Sequence, residues 1–106
     1  MINTGLSQSD IEKIQYILKL HQEIEKVILY GSRAKGNYKA ASDIDLTLVG
    51  ADLTLTIQQK IENELDDLLL PYKFDISLYQ TISSPELVNH IDRIGKLFFQ
   101  KENTNS

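Results

Sequence analysis

Tyr30-Gly31-Ser32-Arg33-Ala34-Lys35-Gly36, followed by Ser42-Asp43-Ile44-Asp45-Leu46, is the stretch on which the reading of this sequence turns. Before it stands Lys26-Val27-Ile28-Leu29-Tyr30, a short, apolar, β-branched run ended by Gly31. Such a run is a buried strand. After it, Asp43 to Val49 alternates with period two and is closed by Gly50. On a strand, residues i and i+2 point to the same side. Asp43 and Asp45 therefore project together, while Ile44, Leu46 and Leu48 face a core. Between the strands, Gly31 to Ser42 holds Arg33, Lys35 and Lys39 and no acid. That segment either reverses the chain or holds a short helical turn.

Working outward, Ser9-Asp10-Ile11-Glu12 offers a capping box, and apolar residues at helical spacing predict a helix from Ser9 to His21. Leu55, Ile57, Ile61, Leu65, Leu68 and Leu69 predict a second long helix from Thr54 to Leu70, stopped by Pro71. Phe74 to Tyr79 alternates again, a third strand that carries Asp75 on its polar side. Ser84-Pro85-Glu86 starts a last helix that runs to Ile94, with Gly95 as its stop. Lys96 to Gln100 reads as a short extended edge. The fold class is α/β (α+β), a small mixed sheet with helices packed mainly on one face. Residues 1–101 form one domain and 102–106 a polar tail.

Composition bounds the class. The chain has 106 residues, 42% hydrophobic and 25% charged, an ordinary globular mix. It has no cysteine, which excludes a disulfide scaffold, a thiol nucleophile and thiolate metal sites. No apolar run approaches the roughly 20 residues of a membrane span, and the N-terminus lacks the pattern of a signal peptide. The expected compartment is the cytoplasm. With 11 basic against 15 acidic residues, net −4, a general nucleic-acid binder is disfavoured.

The chemistry follows from residue types. Two carboxylates a few ångströms apart raise each other's pKa, and a hard divalent cation removes that penalty. Mg²⁺ takes oxygen ligands and keeps substrate phosphates in its shell. Two such ions can activate an attacking oxygen and stabilise a leaving one. Asp75 joins the pair if its strand lies beside the second. Gly31 lets backbone N–H groups approach an anion closely, and the Ser32 hydroxyl adds a donor. Arg33 and Lys35 supply positive charge for a triphosphate. His21 and His90 lack metal-ligand spacing and are expected on the surface or in packing. Tyr16, Tyr30, Tyr72 and Tyr79 are expected in or near the core, and Tyr38 as an exposed loop residue. Glu62, Glu64, Asp66 and Asp67 read as a solvated helix face.

These residues closely resemble the minimal nucleotidyltransferases (MNT proteins) of the DNA polymerase β-like superfamily. Their motif is an apolar residue, Gly-Ser, about ten residues, Asp-apolar-Asp-apolar, and a later Asp. Here it stands as Tyr30-Gly31-Ser32, Asp43-Ile44-Asp45-Leu46 and Asp75. The resemblance implies transfer of AMP from ATP to a hydroxyl, with two Mg²⁺ ions. It implies that Gly31 and Ser32 hold the triphosphate, with Arg33 and Lys35 as further contacts. Asp43 and Asp45 would bind both metals, and Asp75 would bind one and activate the hydroxyl. Larger relatives append an acceptor-binding domain. Such short proteins are paired with a small helical HEPN-type toxin, which the MNT antitoxin modifies on a tyrosine. The expected partner is therefore a HEPN toxin in a hetero-oligomer, with no membrane and no direct nucleic acid. Two alternatives are a non-catalytic binding antitoxin and the catalytic subunit of a small-molecule nucleotidyltransferase. Leu97, Phe98 and Phe99 are candidates for a partner surface or for core.

Overall fold

Ser7, not Ser9, caps the first helix. Its Oγ accepts the Asp10 amide at 3.0 Å, and α1 runs Gln8–Lys19 with Ser9 inside its first turn. In the computed structural model, which describes residues 4–102, the elements that follow are β1 (Lys26–Tyr30), α2 (Ser32–Lys35), β2 (Ile44–Val49), α3 (Leu55–Asp66), β3 (Phe74–Leu78), a 3-10 turn (Tyr79–Thr81), α4 (Pro85–Ile94) and β4 (Lys96–Gln100). The expected tail lies outside the described residues from 103 onward.

The four strands form one mixed sheet in the order β3-β2-β1-β4. β1 lies antiparallel to β2, with Tyr30 opposite Asp45. β2 lies parallel to β3, with Asp45 opposite Asp75. The parallel step requires a crossover, and α3 provides it. β4 closes the other side antiparallel to β1, with an irregularity between Val27 and Ile28.

Alternation assigns the two faces. Val27, Leu29, Ile44, Leu46, Leu48, Ile76 and Leu78 are buried against Ile14 and Leu18 of α1 and Ile61 and Leu65 of α3. α1 and α3 thus take one face, as the sequence pattern predicts. Tyr30, Asp45 and Asp75 share the opposite face, where α4 lies over β1. There a Cβ on Gly95 would come within 2.6 Å of the Ile28 side chain and 2.3 Å of the Ile91 carbonyl. Gly95 has an ordinary φ of −57°, so its role is close approach and not a left-handed stop.

Other expectations change in detail. α3 ends at Asp66, four residues before Leu70, because Leu68 and Leu69 bond back to the carbonyls of Leu65 and Asp66 in a tighter turn. Leu69 then takes a positive φ and is 88% exposed. Glu64 does not sit on a purely solvated face: its carboxylate meets Nε2 of His21, which is buried. Tyr16 is 63% exposed and outside the core, whereas Tyr30 is buried. Of the three apolar residues in β4, Phe98 is buried, Phe99 packs partly against the core and Leu97 is exposed.

Leu46 stands on the core side of β2, directly behind the acidic face, and is fully buried. Leu46→Ala is expected to cost about 3 kcal/mol of stability, read as a lower urea midpoint with an unchanged slope. A loss below about 1 kcal/mol would contradict this assignment of faces.

Candidate active site

Gly31 is the hinge of the site. It follows β1 directly, with φ 75° and ψ −156°, a conformation open essentially to glycine alone. A Cβ there would lie 2.2 Å from Oδ2 of Asp45. The backbone at Gly31 is therefore packed on the carboxylate of the strand opposite, and no other residue fits. Ser32 to Lys35 then make a single helical turn, ended by Gly36 in the left-handed region. This is the helical alternative for the polar segment.

Register places two of the acids on one face, while Asp43 stands just before β2, near enough for its charge to act on Asp45. Asp45 and Asp75 are partners on parallel neighbours, and Asp43 precedes Asp45 by two residues. Asp43 and Asp75 are exposed, and Asp45 is half-buried. The Asp45 carboxyl is pushed up to about 6, first by burial, then by the charges of Asp75 and Asp43, with Arg33 acting weakly the other way. Burial also raises the Tyr30 phenol; a hydrogen bond with Ser77 opposes this, and the charges of Asp75 and Asp45 add to it. Among the described residues, no group of three or more His, Cys, Asp or Glu side chains is close enough to hold a metal ion as it stands. The donor set still fits one chemically: hard oxygen ligands, gathered at mutual electrostatic cost. A divalent cation is the simplest neutraliser of that charge.

Arg33 occupies a different place from the one its charge suggests. It is 1% exposed. Its guanidinium donates to the carbonyls of Ser42 (2.9 Å), Ala40 (3.3 Å) and Thr4 (2.9 Å), with a second bond from Nε to Ser42. It also lies against the rings of Tyr38 and Tyr72, 5.2 and 5.0 Å from their centroids. The side chain binds the polar segment together from inside and tethers its end just before Asp43. Tyr38 is accordingly half-buried and not an exposed loop residue. Lys35, by contrast, is exposed at the end of α2, and Ser32 is half-buried beside Gly31.

One residue of this site escaped the sequence reading. His90 of α4 accepts the Gly31 amide on Nε2 at 3.2 Å, and its ring meets the Tyr30 ring edge-on at 6.2 Å. A lone histidine 59 positions away carries no spacing signal; only the docking of α4 on β1 reveals it.

The family described as polymerase beta, nucleotidyltransferase matches residues 12–104, nearly the whole chain and every element of this site. The chain belongs to that family. No curated protein is significantly similar to it in sequence. Among solved structures, the fold is similar to that of chains from several toxin–antitoxin complexes. One is from a toxin–antitoxin complex with AMP-PNP, at TM-score 0.71 and 22% identity over 87% of this chain and 74% of that one. Another comes from Shewanella oneidensis, where a tri-AMPylated HEPN toxin is bound to an MNT antitoxin; the TM-score is 0.68 and the identity 20%, over 91% of this chain and 74% of that one. A third is the MntA-HepT complex, at TM-score 0.66 and 21% identity over 90% of this chain and 74% of that one. No helix among the described residues is long and apolar enough to cross a membrane.

Two outcomes test this geometry. The folded chain holds the Asp45 proton more tightly than the unfolded chain, since its carboxyl is raised from 3.8 to about 6. Stability should therefore fall as pH rises from about 4 through about 6 and stay lower above that. Asp45→Asn removes the charge. Allowing for solvent screening, it should raise stability at pH 7.5 by about 1 kcal/mol, a melting shift of about 4–8 °C, with no gain at pH 3.5. A gain of equal size at both pH values would contradict the account. Arg33→Ala leaves the carbonyls of Thr4, Ala40 and Ser42 without this donor and two rings without their partner. It should cost about 2–4 kcal/mol, and proteolysis should cut first between residues 36 and 42.

Proposed function

We propose that this chain is an antitoxin that transfers AMP from ATP to a hydroxyl, a tyrosine in the favoured case, of a HEPN-type toxin. The observation that carries the reading is the packing of the Gly31 turn directly on Asp45, whose register partner is Asp75 and on which the charge of Asp43 acts. A turn open to close approach beside a cluster of acids suits one ligand that needs both. A nucleoside triphosphate with its divalent cations is such a ligand. Family membership makes the chemistry nucleotidyl transfer. The likeness to chains of toxin–antitoxin complexes, one with AMP-PNP and one with an AMPylated HEPN toxin, supports the choice of donor and acceptor.

In this reading the Gly31–Ser32 turn holds the triphosphate, Ser32 through its hydroxyl and N–H and Gly31 by leaving room for close approach, and Lys35, exposed at the end of α2, reaches its outer oxygens. Arg33 is reassigned from phosphate contact to the strut that holds Ser42, and so Asp43, in place. Asp43 and Asp45 would hold two Mg²⁺ ions, with Asp75 on one of them. When bound, the ions neutralise phosphate charge and lower the pKa of an attacking hydroxyl. Asp75, exposed on β3 beside Asp45, accepts the proton of the acceptor hydroxyl as it attacks the α-phosphorus. Pyrophosphate leaves in line on the side of Gly31 and Ser32. The contribution of the protein is chiefly positioning and charge. The reaction takes place in the cytoplasm.

Co-expression with a HEPN-type toxin, followed by Mg²⁺ and ATP, should add one or more AMP masses to the toxin. Asp43→Asn with Asp45→Asn should lower transfer by at least about 1,000-fold while the two chains still bind. Neutralisation of the toxin by the double variant, with no mass gained by wild type under any nucleoside triphosphate, would contradict the enzyme reading.

A further inference from the structure

Gly31 donates its N–H to His90, although the site reading gives the same turn to phosphate. A backbone N–H can only donate, so Nε2 of His90 is the unprotonated ring nitrogen and the ring is the Nδ1–H tautomer. Three further facts bear on what the bond does. Gly31 is held in a conformation that its own backbone preferences do not select over others. It packs on Asp45 with no room for a methyl group. α4 is anchored independently of His90, through Ile91, which is 1% exposed, and through Gly95 against Ile28. His90 is therefore not needed to dock the helix, and its imidazole reaches the turn from a fixed base, braced by the edge of Tyr30.

We propose that His90 is a positioning residue: it accepts the Gly31 amide to hold the Gly31–Ser32 turn in its phosphate-binding shape against Asp45. The proposal rests on the nucleotidyltransferase reading for its function but not for its structure. A glycine at this position samples many conformations, and a single fixed acceptor removes most of that freedom. The turn is then set before nucleotide arrives, and ordering it does not weaken binding. His90 touches neither nucleotide nor reacting atoms in this role. It acts through Gly31.

Two variants separate the acceptor from the packing. His90→Leu keeps the volume and loses the acceptor. His90→Gln places an amide oxygen near the position of Nε2. In the full chain, amide hydrogen exchange at Gly31 should quicken by about tenfold or more in His90→Leu and return toward wild type in His90→Gln. Affinity for Mg²⁺ and AMP-PNP, measured by calorimetry, should fall about 5–10-fold in His90→Leu and recover in His90→Gln. Exchange at Ile14 and Ile61 should stay unchanged in both. Unaltered exchange at Gly31 in His90→Leu overturns the proposal whether or not nucleotide binds. Faster exchange at Gly31 with unchanged affinity overturns its functional half. Faster exchange in a chain whose wild type binds no nucleotide refutes the nucleotidyltransferase reading instead, and the role assigned to the turn falls with it.

Discussion

Strand β2 is hydrogen-bonded on both sides, and each of its faces carries an incompatible chemistry. Ile44, Leu46 and Leu48 are buried in the core, whereas Asp45 on the other face is half-buried and Asp43, just before the strand, is exposed. A slip of one residue in its pairing would place carboxylates in the core and leucines on the surface. The register with β1 and β3 is therefore strongly determined, and it sets the functional face: Tyr30 beside Asp45 on one side, Asp75 beside Asp45 on the other. The rest of the chain is arranged to maintain that pairing. α1 and α3 cover the apolar side. α4 covers part of the other and leaves the acids open.

The half-burial of Asp45 is the local consequence. Its neighbours are two more carboxylates, and the backbone of Gly31 is packed on it. Such a site costs stability in the free chain, as its raised carboxyl indicates. Folded proteins retain costs of this kind where a ligand removes them. The same packing explains why a glycine, and not merely a small residue, ends β1. It also explains why the turn needs outside support. Arg33 braces the far end of the polar segment from within, and His90 braces the near end from α4.

Much of this was legible in the sequence because period two and short, bounded runs leave few choices. All four strands and the three longer helices follow from local pattern, whereas the pairing of Asp75 with Asp45 depends on β3 lying beside β2, which local pattern does not fix. The failures were non-local or sub-local. Ser7 and Ser9 are both good caps, and only the helix phase separates them. Leu68 to Leu70 continue a helical pattern, yet the approach to Pro71 unwinds it. Tyr16 looks like core but falls on the outer side of α1. Arg33 is held by main-chain carbonyls, an arrangement that charge density alone does not distinguish from a phosphate contact. His90 was missed because its partner is far away in the chain.

The central claim is that the site gathers three acids whose mutual repulsion a divalent cation relieves. The most direct measurement is the titration of the Asp45 side-chain carboxyl by carbon-13 NMR, without and then with Mg²⁺ and AMP-PNP. Without the cation the carboxyl should titrate near 6. With it, the midpoint should fall below the ordinary aspartate value of about 3.9, and the signals of Asp43 and Asp75 should move at the same ligand concentrations. An Asp45 that titrates near 4 in both conditions, or that ignores the cation and nucleotide, would contradict the claim.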